Sequence, residues 1–320
     1  MLFGFINSSN EIKSYQFKQM AFNKATGGEK AKKIGVFCKP KAPSATDILG
    51  RLIPWLRKQN YHIFLDTGTA AIINETSSYE KREISQQADL LIVLGGDGTL
   101  LSVARAAHPH NIPILAVNLG SLGFLAEISI EELYPTLENI LAGKFEIENR
   151  MLLNACIWRN GEKVEDHNVL NDVVINKGAV ARVINLQVLV DGQYMTSYRA
   201  DGLIIATPTG STAYSLSAGG PIIHPSMHTL VLSPICPFTL TNRSILIPDQ
   251  SIIQVKLAAE YDDVRVTLDG QEGYDMRAGD ILEIKKTKTS FQLIRGPNKN
   301  YYQILRDKLH WGSQNDEVIS

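Results

Sequence analysis

The feature that most constrains this chain is an apolar strand that ends in a glycine-rich turn. Leu90 to Leu94 is an unbroken apolar run, which is typical of a parallel strand covered on both faces. Beyond the turn, apolar residues recur at helical spacing, at Leu100, Val103, Ala104 and Ala107. The turn from Gly95 to Thr99, GGDGT, therefore joins the carboxyl end of a strand to the amino end of a helix. Open α/β sheets bind their ligands at such junctions.

This turn is suited to phosphate, because the first amides of a helix point outward and attract anions. Gly95, Gly96 and Gly98 lack Cβ atoms, so phosphate oxygens can approach the backbone closely. The turn contains neither the GK[ST] of a P-loop nor the GxGxxG of a Rossmann fold. We therefore expect a phosphate site that neither of these familiar fingerprints describes.

Asp97 is the unexpected residue of the turn, because a carboxylate among phosphate-facing amides repels the phosphate. Two interpretations are open. In the first, Asp97 caps the helix by accepting hydrogen bonds from its first amides. In the second, Asp97 acts on a ligand, either with a metal ion between carboxylate and phosphate or by accepting a proton.

Four motifs carry a resemblance to known kinases. GGDGT resembles the signature shared by NAD kinases, phosphofructokinases and diacylglycerol or sphingosine-type lipid kinases. Three further motifs are similar to the NAD kinase branch, namely TPTGSTAYSLSAGGP from Thr207 to Pro221, the pair Asn171-Asp172, and NLGSLGF from Asn118 to Phe124. The resemblance to the NAD kinase family runs from about Lys33 to Trp311.

Apolar periodicity predicts two domains of different class. Strands and helices alternate from Lys33 to Ala142, which indicates an α/β domain with a parallel sheet. From about Phe145 the pattern becomes a two-residue alternation with hairpin turns, at Asn160-Gly161, Asp191-Gly192 and Asp269-Gly270. This indicates a mainly β domain, in which Val183 to Val190 and Tyr194 to Thr207 are expected to form a hairpin that leads into a long strand. We divide the chain into an N-terminal extension (1–31), an α/β domain carrying GGDGT (32–144), a mainly β dinucleotide-binding domain (145–296) and a C-terminal segment whose helix packs on the α/β domain (297–320).

Composition limits the partners of the chain. The 320 residues have a formal net charge of −1 with both signs interspersed, so no overall field attracts nucleic acid or an anionic membrane. No apolar run reaches membrane-spanning length, and three scattered cysteines do not make a disulfide framework. We therefore expect a cytoplasmic protein that binds neither nucleic acid nor membrane.

The resemblance implies an NAD kinase, which transfers the terminal phosphoryl of ATP, or of polyphosphate in some members, to the 2′-hydroxyl of the adenosine ribose of NAD. Asp97 matches the family's proposed base, and Gly95, Gly96, Gly98 and Thr99 surround the donor phosphates. Mg²⁺ or another divalent metal accompanies ATP and screens the carboxylate charge. No protein side chain is assigned as a metal ligand. The family also implies a homodimer or homotetramer.

Matching to the family predicts the NAD-binding residues. They are Asp97, Gly98, Asn171, Asp172, Arg182, Arg199, Asp201, Thr212, Ala213, Tyr214, Ser215, Leu216, Ser217 and Gln271. An Asp beside a ribose accepts from its hydroxyls, and Tyr214 offers a stacking face. Without the family, Asn171-Asp172 is typical of a turn before a strand, and the arginines are typical of solvated strand edges. Phe238 departs from the family, which often has His in this segment.

Two other functions are compatible with part of the sequence. A lipid kinase of the same superfamily explains GGDGT, but not TPTGSTAYSLSAGGP or the lack of a basic or strongly amphipathic membrane-facing stretch. A non-catalytic NAD or NADP sensor has no use for a base at Asp97. The sequence therefore favours the NAD kinase.

Overall fold

The computed structural model describes residues 33–108, 110–178, 183–239, 241–259, 263–296 and 300–311. These residues form two compact units. One comprises the described residues up to Asn149 together with those from Gln292 onward, and the other is Arg150–Phe291. The first unit is α/β and the second is mainly β, so the predicted fold class is confirmed.

The first unit is built on parallel strands with helices between them. Its strands are β1 (Lys33–Cys38), β2 (His62–Leu65), β3 (Leu90–Leu94) and β4 (Ile114–Val117). Its helices up to this point are α1 (Ala45–Lys58), α2 (Thr67–Ile72), α3 (Lys81–Gln87), α4 (Asp97–Ala107) and α5 (Leu133–Leu141). The four strands pair in parallel in the order β2-β1-β3-β4, so β3 lies inside the sheet.

Strand β3 brings the GGDGT turn to the carboxyl edge of the sheet. All five residues of β3 are buried, as the apolar run predicts, and Ile92 packs in one core with Leu52 of α1 and Leu137 of α5. Full burial of each such side chain contributes about 1.5–3 kcal/mol. Because β1 and β3 are parallel, the chain leaves both strands at the same edge, where Lys39 N–H donates to the Leu94 carbonyl oxygen at 2.8 Å. The core thus holds the turn in place.

The second unit contains two sheets. Its strands are β5 (Ile147–Arg159), β6 (Glu162–Val169), β7 (Asp172–Lys177), β8 (Ile184–Val190), β9 (Gln193–Ala200), β10 (Gly202–Ala206), β11 (Thr229–Ile235), β12 (Ile245–Pro248), β13 (Ile253–Leu257), β14 (Val264–Leu268), β15 (Glu272–Asp275) and β16 (Ile281–Ile294). A 3₁₀ turn (Thr209–Thr212) and the short helix α6 (Tyr214–Ser217) follow β10. One sheet has the antiparallel order β12-β11-β10-β7-β14-β15. The other contains β16-β13-β8-β9, and side chains of both sheets share one apolar core.

The three predicted hairpin turns are present, between β5 and β6, between β8 and β9, and between β14 and β15. In each turn an Asn or Asp and the following glycine both have positive φ, for example 51° at Asp191 and 76° at Gly192. The turns at Asn160-Gly161 and Asp191-Gly192 hold two residues, whereas the turn between β14 and β15 holds three, Asp269 to Gln271. Asn, Asp and Gly tolerate the left-handed conformation, and two-residue turns that use it match the twist of the flanking strands. The turn residues therefore locate the hairpins from sequence.

The structure corrects the long strand that the sequence predicts from Tyr194 to Thr207. The chain instead forms β9 and β10, which lie in different sheets and are separated at Asp201. Asp201 N–H donates to the Ile235 carbonyl oxygen at 3.0 Å, and a Cβ at Gly202 would overlap the Ile175 carbonyl oxygen. Gly202 therefore lets β10 pass close to β7 where the chain enters the other sheet.

Helix α7 (Tyr301–Leu309) belongs to the first unit, and it confirms the helix that the sequence predicts within the C-terminal segment. Asn300 caps it by accepting from Gln303 N–H at 2.9 Å, and Ile304 and Leu305 are buried. Within the described part of the chain, no helix combines the length and hydropathy needed to cross a membrane.

Candidate functional site

The Asp97 carboxylate does not cap its own helix. Gly96, in an extended conformation, is the N-cap residue of α4, and Asp97 is the first helical residue. No side-chain hydrogen bond caps the first turn of this helix. The interpretation of Asp97 as a helix cap is therefore wrong.

A separate loop holds the carboxylate instead. Asp97 Oδ2 accepts from Phe124 N–H at 3.0 Å, and Oδ1 accepts from Leu125 N–H at 3.2 Å and Ala126 N–H at 3.0 Å. A carboxylate has about two acceptor positions on each oxygen. The three bonds orient the carboxylate. They fill both acceptor positions on Oδ1 and one of the two on Oδ2, so one acceptor position on Oδ2 stays open to a ligand.

The loop that holds Asp97 is the NLGSLGF segment. Asn118 is buried, its Oδ1 accepts from Gly120 N–H at 2.7 Å, and its Nδ2 donates to the Ser121 carbonyl oxygen. At Gly123 a Cβ would overlap the Asp97 carboxylate. The segment therefore has a structural reason for its asparagine and its last glycine, which is to present three amides to Asp97.

A cavity of about 320 Å³ lies where β1 and β3 end and α4 begins. It is lined by Phe37, Cys38, Lys39, Pro40, Asp66, Gly68, Lys81, Gly96, Gly98, Thr99 and Ser102. Three of the four predicted phosphate-binding residues thus meet in one cavity. Gly95 is not among them, because its N–H donates to the Val117 carbonyl oxygen at 2.9 Å. Its Cα faces Thr99, where a Cβ would lie 2.6 Å from Oγ1.

The oxygen groups of this cavity fit an Mg²⁺ ion that arrives with phosphate. Mg²⁺ is usually bound by one or two carboxylates together with substrate phosphates and waters. Asp66 supplies one carboxylate to the lining, and Thr99 and Ser102 supply hydroxyls. The described residues contain no cluster of three or more His, Cys, Asp or Glu side chains able to hold a metal by themselves. Bound phosphate would therefore have to supply much of the coordination.

A second cavity, of about 290 Å³, lies in the mainly β unit. Its lining is Asn171, Asp172, Val174, Asn176, Ala213, Tyr214, Thr267, Asp269 and Gly270. Two motifs that are distant in sequence meet here, since Asn171-Asp172 opens β7 and Ala213-Tyr214 opens α6. The structure thus brings four of the predicted NAD-binding residues together.

Thr207 joins these two motifs. Its N–H donates to the Asn171 carbonyl oxygen at 2.9 Å, and its Oγ1 donates to the Leu170 carbonyl oxygen at 2.6 Å. The same hydroxyl accepts from Gly210 N–H at 3.0 Å. A Cβ at Gly210 would overlap the backbone of Asn171. The TPTG turn can therefore pack directly on the Asn171-Asp172 pair.

Two carboxylates with different roles face this cavity. Asp269 is buried and accepts from the N–H groups of Leu170 at 3.2 Å, Asn171 at 2.7 Å and Asp172 at 3.2 Å. Asp172 is only 3% exposed, and burial, followed by the nearby charge of Asp269, raises its pKa to about 7. The two carboxyl groups thus differ in their surroundings. Backbone amides donate to the carboxylate of Asp269, whereas burial disfavours the charged form of Asp172.

Asn171 supplies an acceptor to the same region. Its Oδ1 is buried and has no hydrogen-bond partner among the described residues. Buried polar atoms are nearly always paired, so an unpaired one in a cavity wall favours a ligand that donates a hydrogen bond.

The rest of the TPTGSTAYSLSAGGP motif is used for packing or lies at the surface. Ser215 is buried, and its hydroxyl lies 3.0 Å from that of Ser233. Thr212 Oγ1 donates to the Thr209 carbonyl oxygen at 3.3 Å. Thr212, Ser215, Leu216 and Ser217 are absent from the cavity lining.

The predicted arginine and aspartate contacts lie elsewhere in the mainly β unit. The Arg199 guanidinium lies 4.4 Å from the ring centroid of Phe238, the residue that departs from the family pattern. Arg199 and Asp201 are exposed and do not line the 290 Å³ cavity. Gln271 lies in the turn between β14 and β15, also outside that lining. Arg182 lies outside the described residues.

Sequence reasoning missed four residues of these sites. Asp269 was assigned only to a hairpin turn, although a carboxylate in that position can also accept hydrogen bonds from backbone amides. Thr207 and Gly123 lie inside the quoted motifs, but nothing in the sequence shows their partners. Lys81 carried no signal beyond the start of a helix. Each of these roles depends on a contact between distant parts of the chain.

The chain matches two domain families along most of its length. The ATP-NAD kinase N-terminal domain matches residues 34–145, and the ATP-NAD kinase C-terminal domain matches residues 170–296. The NAD kinase of Syntrophotalea carbinolica is 48% identical over 284 residues, which cover 88% of this chain and 100% of that protein. The NAD kinase of Geobacter sulfurreducens is 46% identical over 283 residues, with coverage of 88% and 100%.

Solved structures share the fold. Yeast NADH kinase complexed with NADH superimposes with a TM-score of 0.83 at 25% identity, covering 89% of each chain. An NAD kinase from Archaeoglobus fulgidus in complex with ATP has a TM-score of 0.69 at 24% identity, covering 86% of this chain and 99% of the other, and this likeness bears on the fold alone. On the domain matches and the identity to these bacterial enzymes, the chain belongs to the NAD kinase family.

Proposed function

We propose that this NAD kinase transfers the terminal phosphoryl group of ATP, or of polyphosphate, to the 2′-hydroxyl of the adenosine ribose of NAD, with Asp97 as its base. The observation that carries the proposal is the orientation of the Asp97 carboxylate by three backbone amides of residues 124–126. A helix cap needs no such loop. A base that must meet a substrate hydroxyl does need a fixed direction.

In the proposed reaction the 2′-hydroxyl oxygen attacks the terminal phosphorus of the donor, and the shortened donor leaves. Asp97 accepts the hydroxyl proton as the new oxygen–phosphorus bond forms. The chain's main tasks are positioning and charge neutralisation, because phosphoryl transfer needs little covalent chemistry from the protein. The position on Oδ2 that the loop amides leave open is where Asp97 would meet the hydroxyl.

The donor phosphates would bind in the 320 Å³ cavity, against Gly96, Gly98 and Thr99. The amino end of α4 faces this cavity and favours negative charge. Asp66 and the Thr99 hydroxyl would hold Mg²⁺ together with the donor. The ion would neutralise charge on the donor oxygens. Gly95 would shape the turn without contacting the donor.

NAD would use the 290 Å³ cavity of the mainly β unit. Tyr214 is 45% exposed and lines the cavity, so its ring can stack on a base of the dinucleotide. Asn171 Oδ1 and the Asp172 carboxyl would accept hydrogen bonds from ribose hydroxyls. Seven other predicted NAD contacts do not line this cavity, namely Arg199, Asp201, Thr212, Ser215, Leu216, Ser217 and Gln271. They stay predictions, as does Arg182, which lies outside the described residues.

The assembly and location of the enzyme follow from the family expectation. We expect a homodimer or homotetramer in the cytoplasm. The free cysteines Cys38, Cys156 and Cys236 support a reducing compartment. The functional domains would be residues 32–144 for the donor and 145–296 for NAD.

The test is NADP formation by the purified protein from NAD, ATP and Mg²⁺, read with an NADP-specific dehydrogenase. Asp97→Asn should lose about 100-fold or more of kcat, the scale of a general base, with its circular dichroism spectrum unchanged. Asp47→Asn is the matched control, because Asp47 is an exposed carboxylate on α1 whose ion-pair partner among the described residues is Arg51, at 2.9 Å. It should keep wild-type kcat.

Two results would overturn the proposal. NAD binding without NADP formation, including trials with polyphosphate and NADH, would favour a sensor. ATP turnover that depends on lipid vesicles would favour a lipid kinase.

A further inference from the structure

We propose that Lys81, positioned by Ser102, binds a phosphate of the donor's polyphosphate chain. The inference rests on the proposed donor site, and it adds a cation that no motif of the chain assigns. Its ligand chemistry is a chain of linked phosphates, which ATP and inorganic polyphosphate share.

Lys81 is tied to the helix that follows the GGDGT turn. It is the first residue of α3, is half-buried, and lines the 320 Å³ cavity together with Gly96 and Gly98. Its Nζ donates to Ser102 Oγ at 2.8 Å, and Ser102 Oγ donates in turn to the Thr99 carbonyl oxygen at 3.1 Å. These two hydrogen bonds connect the Lys81 ammonium group to Thr99 of the GGDGT turn.

The ammonium group has capacity for a ligand. A lysine has three N–H donors, and Ser102 takes one of them. Among the described residues, no carboxylate pairs with Lys81. The cavity lining contains a second cation, Lys39, and a single carboxylate, Asp66, one oxygen of which accepts from Thr69 N–H at 2.9 Å.

The charge balance of the cavity therefore favours an anion. Two lysines exceed the single carboxylate, and the amino end of α4 adds a partial positive charge. Partial enclosure strengthens the attraction, because fewer waters screen the charges. Lysine serves phosphate as a compact point charge with movable donors, which suits a flexible polyphosphate chain.

The competing role for Lys81 is structural, since the hydrogen bond to Ser102 also joins α3 to α4. The two roles separate in measurements on the whole enzyme. If Lys81 only joins the two helices, its mutation lowers the melting temperature. If Lys81 binds the phosphate donor, its mutation weakens donor binding and raises the KM for the donor. Binding of inorganic tripolyphosphate, measured by calorimetry without NAD, needs no turnover.

Lys81→Met should weaken tripolyphosphate binding and raise the KM values for ATP and for polyphosphate by about tenfold or more, the scale of a hydrogen bond to a charged group. The KM for NAD should stay unchanged. Lys81→Arg should restore part of the loss, and Ser102→Ala should weaken donor binding less than Lys81→Met does. Lys144→Met is the matched control, because Lys144 is an exposed lysine of the same unit outside the cavity lining.

Unchanged tripolyphosphate affinity and donor KM in Lys81→Met would overturn the inference, as would a lower melting temperature with normal donor KM. A wild-type protein that does not bind tripolyphosphate would also overturn it. A higher KM for ATP alone, with normal polyphosphate KM and tripolyphosphate affinity, would assign Lys81 to the nucleoside part and contradict the inference. Tripolyphosphate binding that depends on Lys81 in a wild type that forms no NADP would instead refute the proposed reaction while supporting the anion site.

Discussion

The Asp97 carboxylate occupies the space into which a side chain at Gly123 would project. The two residues come from different motifs, the first from GGDGT and the second from NLGSLGF. The contact explains why these motifs belong to one site. The glycine makes room for the carboxylate, and the amides that follow it hold the carboxylate in place.

Gly123→Ala should destabilise the protein and lower kcat. Overpacking a filled position costs about 1–3 kcal/mol of unfolding free energy, and the displaced carboxylate would lose its direction. The φ angle of Gly123 is outside the left-handed region, so an alanine meets no conformational penalty there. Urea unfolding and NADP formation would measure both effects.

The control for that prediction is a double-mutant cycle with Asp97→Ala. The cost of Gly123→Ala should become much smaller in the Asp97→Ala background, because the overlapping atoms are gone. An equal cost in both backgrounds would mean that the alanine collides with something other than Asp97.

Thr207→Val should reduce both stability and NAD affinity. The valine keeps the shape but removes one bond to the Leu170 carbonyl and one from the Gly210 amide, at a buried position. Unpaired buried groups cost about 1–3 kcal/mol. Thr229→Val is the matched control. Thr229 Oγ1 donates to the Ile247 carbonyl oxygen at a distance of 2.8 Å, and Thr229 does not line the cavity. Calorimetry with NAD should separate the two variants, and equal loss of affinity in both would refute a site role for Thr207.

Tyr214→Ala should weaken NAD binding while the fold stays intact. The ring is 45% exposed, so its removal leaves no core cavity. Loss of base stacking costs about 1–3 kcal/mol, which corresponds to a roughly 5-fold to 150-fold higher Kd. Tyr194→Ala is the control, because Tyr194 is 61% exposed in the same unit and does not line the cavity. Similar NAD affinity in the two variants would exclude stacking on Tyr214.

Asp172 should make stability depend on pH. Its pKa of about 7 in the folded protein lies above the value of about 3.9 for an unfolded Asp. Between these values the folded chain holds a proton that the unfolded chain has released. The contribution of Asp172 to stability is therefore greatest below pH 4, falls as the pH rises from about 4 to 7, and is constant above that range.

Asp172→Asn removes this titration, and its stability relative to the wild type should rise with pH by up to about 1.4 kcal/mol per unit within the window. Urea unfolding of both proteins at pH 5, 6, 7 and 8 would measure the difference. A difference that is the same at all four pH values would show that Asp172 does not titrate there.

Local patterns predicted the elements that carry the site. The apolar run at Leu90–Leu94 and the glycines after it predicted β3 and its turn, because a buried strand and a turn leave direct marks in a short stretch of sequence. Asp191-Gly192 predicted a hairpin for the same reason. The prediction of one long strand through Asp201 failed for the opposite reason. Whether a β pattern continues or changes sheets depends on the neighbouring strands, here β7 and β11.

The sequence by itself determined the fold class, the position of GGDGT between strand and helix, and membership of the NAD kinase family through motifs that are contiguous in the chain. Only the tertiary structure decided that Asp97 is held by the amides of residues 124–126, that Asp172 lies near Asp269, and that Lys81 reaches Ser102. The physical reason is the distance along the chain over which each kind of interaction acts. Periodicity and turn chemistry act over a few residues, whereas hydrogen bonds, charge interactions and close packing in a site join residues that folding brings together from distant parts of the chain.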